Sequence, residues 1–230
     1  MLYIIDTANV DDIRRCNEFY PIDGVTTNPT IIAHEKRDFI PLIKEIRTII
    51  GDDKMFHIQT TATTAEEIVK EGHELQEIVG GEFYLKIPVS PEGLKATRIL
   101  SGEGIKVTET AIFTQQQALI AAKAGASFVA PYVNRLDNIV SDGAKVVEEI
   151  TEILHGYKLP CKVLAASFKN VEQIHKISTV GGDAVTITPD LFDKLVYHPL
   201  TYYAIDDFEK DWESIYGDKS ISELISEYKG

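Results

Sequence analysis

The sequence predicts an α/β protein: a single (β/α)8 TIM barrel with an extra C-terminal amphipathic helix. Short β-rich runs alternate with helical patterns along almost the whole chain, and eight such runs can be distinguished. The length of 230 residues also suits this fold. A doubly wound open sheet is the weaker alternative, because no glycine-rich dinucleotide motif or P-loop is present.

The predicted strands are short runs rich in β-branched and aromatic residues. In chain order they are LYIID, GVTTN, MFHIQT, FYLKIP, KVTETAI, SFVAPY, CKVLAAS and AVTIT. Between them, apolar residues recur at a spacing near 3.6, which predicts helices packed by one face. Examples are Val171, Ile174, Ile177 and Val180, and Leu94, Ala96, Ile99 and Leu100 after SPEG. Glycines in AAKAGAS and STVGGDA indicate helix ends.

Residues 1–230 are predicted to form one barrel domain, in which 199–230 is a helical extension. Leu200, Ala204, Phe208 and Trp212 recur every fourth residue there, with Ile215 just beyond. The barrel does not need this helix. It either packs over its own barrel or docks on a neighbouring subunit, where it would serve oligomerisation.

Composition narrows the classes of function. Acidic residues outnumber basic residues 36 to 23, giving a net charge of −13, which argues against binding to nucleic acid or to an anionic membrane. No apolar run approaches the roughly 20 residues of a membrane helix and the N-terminus does not resemble a signal peptide, so we expect a cytoplasmic protein. The two cysteines form no CxxC pair and the histidines have no metal-binding spacing, so no metal is expected. A lone histidine such as His57 is expected to pack in the core.

Polar residues cluster where the predicted strands end. In a barrel of this kind the active site lies at the carboxyl ends of the strands, and the last inward-pointing residue of each strand faces it. Those residues are Asp6, Asn28, Gln59, Lys86, Thr110, Tyr132 and Ser167, with Thr26 and Thr108 pointing inward behind them. Each alone could be structural, but seven around one rim indicate an active site.

Lys86 lies in the apolar run FYLKIP. A buried ammonium is costly unless it is paired or becomes neutral. Lys86 either closes a strand and reaches the surface on its long stem, or is a desolvated amine that forms a Schiff base with a carbonyl substrate. The polar rim favours the nucleophile. Asp6, the only carboxylate placed on the inner rim, would orient substrate hydroxyls or neutralise Lys86.

Schiff-base chemistry also needs a group that moves protons. Tyr132, at the tip of the sixth strand, is the best-placed candidate, and a rim aromatic that packs against substrate carbon is the alternative. Gln59 cannot carry a proton at neutral pH, but with Thr110 it could hold a water molecule that relays one.

A candidate phosphate site follows the sixth and seventh strands. Arg135 lies three residues beyond Tyr132, and the segment AASFKN contributes Ala166, Ser167 and Lys169. Arg135 and backbone N–H groups after the seventh strand could hold a phosphate, as in many barrels. A solvated surface arginine is the alternative.

Several motifs together resemble the small transaldolase family, and specifically its fructose-6-phosphate aldolase branch. They are DTANV, GVTTNPTIIA, QTTATTAEE, LKIPVSPEGLKA, APYVNRLD and LAASFK, and they extend over nearly the whole chain. The resemblance implies a (β/α)8 barrel with Lys86 as the Schiff-base lysine. It also implies that Asp6 and Asn28, beside Thr26, bind the dihydroxyacetone moiety and that Arg135 with Ser167 binds phosphate.

Two positions distinguish the activities within that family. Transaldolases generally carry glutamate where this chain has Gln59 and phenylalanine where it has Tyr132, whereas the aldolase branch resembles this sequence at both. The resemblance therefore implies a cofactor-independent aldehyde-lyase that cleaves fructose 6-phosphate reversibly to dihydroxyacetone and glyceraldehyde 3-phosphate. A transaldolase is the alternative, and a non-catalytic barrel that binds sugar phosphates is a third.

The resemblance has two further implications. The family builds homodecamers from two pentameric rings in which the C-terminal helix reaches over a neighbour, which would account for the surplus helix. Glu109 departs from the family pattern, because its position is usually small or apolar. By alternation with Thr110 it should point outward to the helices, so we expect a local change in packing rather than in chemistry.

Overall fold

The structure is a computed structural model that describes residues 1–229. The chain forms two compact units, Met1–Phe192 and a second that begins at Asp193. No helix within the described residues is both long enough and apolar enough to cross a membrane.

The first unit is a closed barrel of parallel strands that neighbour one another in chain order, with β1 hydrogen-bonded to both β2 and β8. The strands are β1 (Leu2–Asp6), β2 (Gly24–Thr26), β3 (Met55–Gln59), β4 (Phe83–Pro88), β5 (Lys106–Ile112), β6 (Phe128–Pro131), β7 (Lys162–Ala165) and β8 (Ala184–Ile187). The predicted (β/α)8 barrel is therefore confirmed, and each strand lies within the run predicted for it.

Helices follow the strands around the barrel. They are α1 (Val10–Phe19), α2 (Pro29–His34), α3 (Phe39–Ile50), α4 (Ala65–Val79), α5 (Pro91–Gly102), α6 (Gln115–Ala124), α7 (Val133–Asp137), α8 (Gly143–Gly156), α9 (Val171–Thr179) and α10 (Pro189–Val196). Their starts follow from the sequence: the Ser90 side chain accepts the Gly93 amide before α5, and Thr114 and Gln117 form a capping box at α6. Gly125 ends α6 in the left-handed conformation.

Alternation along the strands divides the barrel wall into two faces. Outward-facing side chains such as Leu85, Ile87 and Val107 are fully buried under the helices. The inward-facing residues at the amino ends of the strands form an apolar core that includes Ile4, Tyr84, Phe128, Ala130, Leu164 and Ala184. Burial of each large apolar side chain contributes about 1.5–3 kcal/mol. This core fills the lower half of the barrel, so polar groups inside it are left at the carboxyl ends.

Five strands, β2, β3, β6, β7 and β8, end earlier than predicted at the carboxyl end. The structure gives a reason for three of them. β2 stops at Thr26 because Asn28 caps α2, where its side chain accepts the Ile31 amide at 3.0 Å. β6 stops at Pro131 because the next residue, Tyr132, is the N-cap residue of α7. β7 stops at Ala165, and Ser167 has a φ of +65°, a left-handed conformation incompatible with a strand.

The second unit contains two helices, α11 (Pro199–Tyr216) and α12 (Ile221–Lys229). Both lie within the helical extension predicted over 199–230, for which the sequence analysis described a single amphipathic helix. A short turn joins the two helices. The Trp212 indole N–H of α11 donates a hydrogen bond to the carbonyl oxygen of Lys219 in this turn at 2.7 Å. The Ser220 hydroxyl and the Glu223 carboxylate cap the start of α12. That residues 1–230 act as one domain stays a prediction.

Candidate active site

A cavity of about 660 Å³ opens at the carboxyl ends of the strands. Nine of the eleven site residues predicted from sequence line it: Asp6, Asn28, Gln59, Lys86, Tyr132, Arg135, Ala166, Ser167 and Lys169. The other two lie one hydrogen bond behind its wall, because Thr26 donates to Asp6 and Thr110 to Tyr132. The structure therefore brings all the predicted residues together around one cavity.

Lys86 lies inside the barrel and does not extend to the outer surface. It is 4% exposed, and its Nζ donates a hydrogen bond to the Thr27 carbonyl oxygen at 3.2 Å. Pairing with β3 and β5 sets it between Gln59 and Thr108. No carboxylate of residues 1–229 lies within ion-pair distance of its amine, so the amine is buried without a compensating anion.

The layer beneath Lys86 is polar but carries no negative charge. His57 is fully buried, stacks on the Tyr84 ring at 4.5 Å and shares a hydrogen bond with the Thr108 hydroxyl at 2.9 Å. Burial, with a smaller contribution from the charge of Lys86, lowers the pKa of His57 to about 3. The imidazole is therefore neutral at physiological pH, as expected for a packed core histidine.

Asp6 faces the cavity from the end of β1, and two threonines stand behind it. The Thr26 hydroxyl on β2 donates to Asp6 Oδ1 at 2.6 Å and lies 2.5 Å from the Thr186 hydroxyl on β8. Thr186 also lines the cavity but was not predicted from the sequence. The strand alternation in AVTIT, which sets Thr186 and Thr188 on the same face, is the signal that could have identified it.

Tyr132 lines another side of the cavity, with Thr110 behind it. The Thr110 hydroxyl donates to the Tyr132 phenol oxygen at 3.2 Å, which leaves the phenol hydrogen free to point into the cavity. The Phe113 ring packs edge-on against Tyr132 at 5.6 Å and 77°. β5 shifts register next to these residues, and Ala111 has a φ of +58°. This irregularity separates the end of β5 from the regular ladder.

The short helix α7 carries the basic side of the site. The Arg135 guanidinium lies over the Tyr132 ring, 4.7 Å from its centroid, and remains exposed to solvent. The Val133 and Asn134 amides donate to the carbonyl oxygens of Ala166 and Ser167 at 2.9 and 2.8 Å, respectively. The end of β7 and the start of α7 are thus held together.

The backbone after β7 offers fewer donors than the sequence suggested. The Lys169 amide donates to the Gln173 side chain at 2.8 Å, so it is not available to a ligand. Within residues 1–229 the amides of Ser167 and Phe168 have no hydrogen-bond acceptor. These two amides, the Ser167 hydroxyl and the side chains of Arg135 and Lys169 are the groups that could bind an anion here.

The fold and the cavity define a class: a (β/α)8 barrel whose polar site surrounds a buried lysine at the carboxyl ends of the strands. The chain belongs to the Transaldolase/Fructose-6-phosphate aldolase family, whose model matches residues 3–224. The resemblance seen in the sequence motifs is therefore confirmed, and the family comprises aldolase and transaldolase enzymes.

Among similar proteins, some are named as probable aldolases and others as probable transaldolases. A probable fructose-6-phosphate aldolase from Streptococcus pneumoniae is 38% identical over 222 residues, which cover 96% of this chain and all of the relative. A probable transaldolase from Agathobacter rectalis is 40% identical over 218 residues, covering 95% of this chain and all of the relative. A solved structure described as native KDPGal has a TM-score of 0.56 at 15% identity, covering 86% of this chain and 84% of that one, and supports the fold alone.

Glu109 points outward from β5 to the helices, as predicted. It is fully buried, and its Oε1 accepts the Thr97 hydroxyl of α5 at 2.6 Å, whereas its Oε2 has no partner within residues 1–229. Burial raises the pKa of Glu109 to about 7, and the bond from Thr97 only partly offsets this effect. Below neutral pH the carboxyl group is therefore protonated in the folded protein.

Glu109 should make stability depend on pH. Its ordinary pKa is 4.5, so between pH 4.5 and about 7 the folded protein holds a proton that the unfolded chain releases. This contribution is complete below pH 4.5 and is lost as the pH rises to about 7, a change of about 3 kcal/mol in the free energy of unfolding. Glu109→Gln should therefore raise Tm relative to the parent at pH 8, and the difference should shrink toward pH 5.

Thermal unfolding from pH 5 to pH 8 measures this effect. The matched control is Glu77→Gln, at an exposed position on α4, which should leave the pH profile of Tm unchanged. A difference between Glu109→Gln and the parent that does not vary with pH would contradict the assignment.

Proposed function

We propose that the protein is a Schiff-base aldolase that reversibly cleaves fructose 6-phosphate to dihydroxyacetone and glyceraldehyde 3-phosphate. The observation that carries the proposal is the Lys86 amine, 4% exposed and without an anionic partner among residues 1–229, at the base of a polar cavity. A lysine amine is the nucleophile of Schiff-base chemistry, and the cavity gives a carbonyl substrate access to it. Membership of an aldolase and transaldolase family supports the same class of reaction.

The reaction begins when the Lys86 nitrogen attacks the C2 carbonyl carbon of the open-chain ketose. The carbinolamine loses water to give an iminium ion, and the C4 hydroxyl then loses its proton. The C3–C4 bond breaks, its electron pair moves into the iminium as an enamine, and the aldehyde leaves. Protonation of the enamine at C3 and hydrolysis by water release dihydroxyacetone and restore Lys86. No cofactor takes part in these steps.

Tyr132 is the group proposed to move protons. Its phenol hydrogen is free because the hydrogen bond from Thr110 occupies only the oxygen as acceptor. Gln59 is the last residue of β3 and lies directly beside Lys86, and its side chain has no hydrogen-bond partner among residues 1–229. Its amide can therefore hold, with Thr110, a water molecule that relays the proton to the substrate.

The two ends of the substrate would meet different chemistry. Asp6 and Asn28 would bind the hydroxyls of the dihydroxyacetone part: the Asn28 carbonyl oxygen is used in capping α2, so its amide hydrogens remain for the ligand. Arg135, Lys169 and the Ser167 amide would bind the phosphate by charge-assisted hydrogen bonds. In a chain of net charge −13, this group of basic residues is the part of the cavity suited to an anion.

Transaldolase is the second candidate, because several relatives are called probable transaldolases. In that reaction the enamine on Lys86 would pass to erythrose 4-phosphate instead of being protonated and hydrolysed. The glutamine at position 59 and the tyrosine at position 132 favour the aldolase.

We also propose that the chain assembles into a homodecamer of two pentameric rings. In the single chain, α11 exposes apolar side chains including Leu200, Tyr203, Phe208 and Ile215. Such a surface on one helix is typical of a protein–protein contact.

Lys86 should be the residue that carries the substrate. Borohydride added with dihydroxyacetone should reduce the Schiff base and attach the sugar to a peptide containing Lys86, as mass spectrometry would detect. Lys86→Met should abolish trapping and lower cleavage at least about 10³-fold, because the nucleophile is lost. The control Lys123→Met, at an exposed position on α6, should retain both. Trapping on another lysine would refute the assignment.

Tyr132 should determine whether the enamine is released or transferred. Tyr132→Phe keeps the ring contacts with Phe113 and Arg135 but removes the proton donor, and it should slow release of dihydroxyacetone on the order of 10²-fold or more. Transfer to erythrose 4-phosphate should rise at most modestly, and further when Gln59→Glu is added. Product analysis with and without erythrose 4-phosphate measures both reactions.

The control for this substitution is Tyr157→Phe, at an exposed tyrosine that does not line the cavity. Cleavage at the parental rate by Tyr132→Phe would remove Tyr132 from the mechanism. A parent protein that transfers the enamine but releases no dihydroxyacetone would identify the transaldolase instead.

Arg135 should recognise phosphate. Arg135→Gln keeps a stem over the Tyr132 ring but loses the charge, so KM for glyceraldehyde 3-phosphate should rise roughly tenfold or more. KM for unphosphorylated glyceraldehyde should change little, since no phosphate contact is lost. Initial rates of the synthetic reaction with each aldehyde give the comparison, with Arg98→Gln on α5 as the control. Equal losses for both aldehydes would argue against a phosphate site.

A further inference from the structure

Three side chains form a continuous hydrogen-bonded row across the inner face of β1. Strand pairing sets Thr26 of β2 beside Asp6, and Thr186 of β8 beside Ile4. The Thr26 and Thr186 hydroxyl oxygens, 2.5 Å apart, therefore meet over β1, between Ile4 and Asp6. Thr26 is fully buried and Thr186 is 3% exposed.

The direction of each hydrogen bond follows from chemistry. A hydroxyl group has one hydrogen, and an ionised carboxylate only accepts. Thr26 lies 2.6 Å from Asp6 Oδ1, so its hydrogen is donated to the carboxylate. Thr186 must then donate to Thr26. The row runs one way, from Thr186 through Thr26 to Asp6, and each hydroxyl hydrogen is used.

A hydroxyl at position 186 is not required by packing. The inward-facing residues just below it, Ile4, Leu164 and Ala184, are apolar, and valine has nearly the same shape as threonine. A buried hydroxyl costs free energy unless its hydrogen bond compensates for the loss of water. Here that bond fixes the Thr26 hydroxyl in the orientation that holds Asp6.

We propose that Thr186 is a positioning residue for the dihydroxyacetone half of the substrate, acting through Thr26 on Asp6. The hydrogen bond from Thr26 fixes Oδ1 of Asp6. No donor among residues 1–229 reaches Oδ2 of Asp6, so this oxygen is free to accept a hydrogen bond from a substrate hydroxyl. This inference rests on the proposed function. The inference concerns which substrate the row recognises. The row should affect the binding of dihydroxyacetone and not the binding of the phosphorylated aldehyde, whose phosphate would lie beside Arg135.

The experiment compares Thr186→Val with Thr186→Ser in the synthetic direction, using dihydroxyacetone and glyceraldehyde 3-phosphate as probes. Thr186→Val removes the donor and should raise KM for dihydroxyacetone about tenfold, the effect of one buried hydrogen bond. KM for glyceraldehyde 3-phosphate should stay within about twofold, because no contact near Arg135 changes. Thr186→Ser keeps the hydroxyl and should restore the parental KM for dihydroxyacetone.

A stability control separates positioning from general loss of packing. Thr151→Val on α8 removes a similarly buried hydroxyl that bonds only to its own helix, and it should lower Tm without changing either KM. If Thr186→Val fails to fold, Thr186→Ala serves the same comparison. An equal rise of both KM values, an unchanged KM for dihydroxyacetone, or no rescue by serine would each overturn the proposal.

The parent protein keeps this test distinct from that of the function. If the parent neither traps dihydroxyacetone with borohydride nor joins it to the aldehyde, the proposed aldolase is wrong, and the role of Thr186 with it. If the parent does both and Thr186→Val binds dihydroxyacetone equally well, only the role of Thr186 is wrong.

Discussion

The burial of the Lys86 amine without an anion is the constraint on which the site depends. Among residues 1–229 no carboxylate forms an ion pair with this amine: Asp6 accepts the Thr26 hydroxyl, and the histidine beneath is kept neutral by its own burial. The amine is therefore available for chemistry. The closed barrel makes this possible, because its apolar lower core keeps water out from below while the strand ends supply uncharged polar groups above.

Much of this arrangement follows from the sequence because strands alternate with a period of two. Once LYIID and FYLKIP are taken as strands, Asp6 and Lys86 must face inward at their carboxyl ends, and closure of the barrel brings them to one cavity. The same alternation predicted that Glu109 faces the helices. Strand ends were predicted less well, since Asn28 and Tyr132 are engaged by the helices that follow.

The remaining features depend on contacts that no local pattern contains. The left-handed conformation of Ser167 arises in a non-glycine residue, and nothing in AASFKN distinguishes it from a longer strand. The Thr186 row requires β8 to close against β1, a pairing of residues far apart in the chain. α12 is different, because its apolar residues Ile221, Leu224, Ile225 and Tyr228 have helical spacing and a local pattern is enough to predict it. The division between aldolase and transaldolase is finer still, because it depends on single groups at positions 59 and 132 within one shared architecture.

The link between β7 and α7 has a consequence for how this site can change in evolution. Two backbone hydrogen bonds join the carbonyls of Ala166 and Ser167 to the start of α7, and the guanidinium of Arg135 rests on the ring of Tyr132. The residue proposed to transfer protons and the residue proposed to hold the phosphate are thus parts of one small rigid body. A substitution that moves Arg135 to suit a longer or shorter aldehyde therefore also moves Tyr132. Acceptor length and catalytic rate are therefore coupled traits, and selection for a new acceptor would have to restore proton transfer by a second change elsewhere.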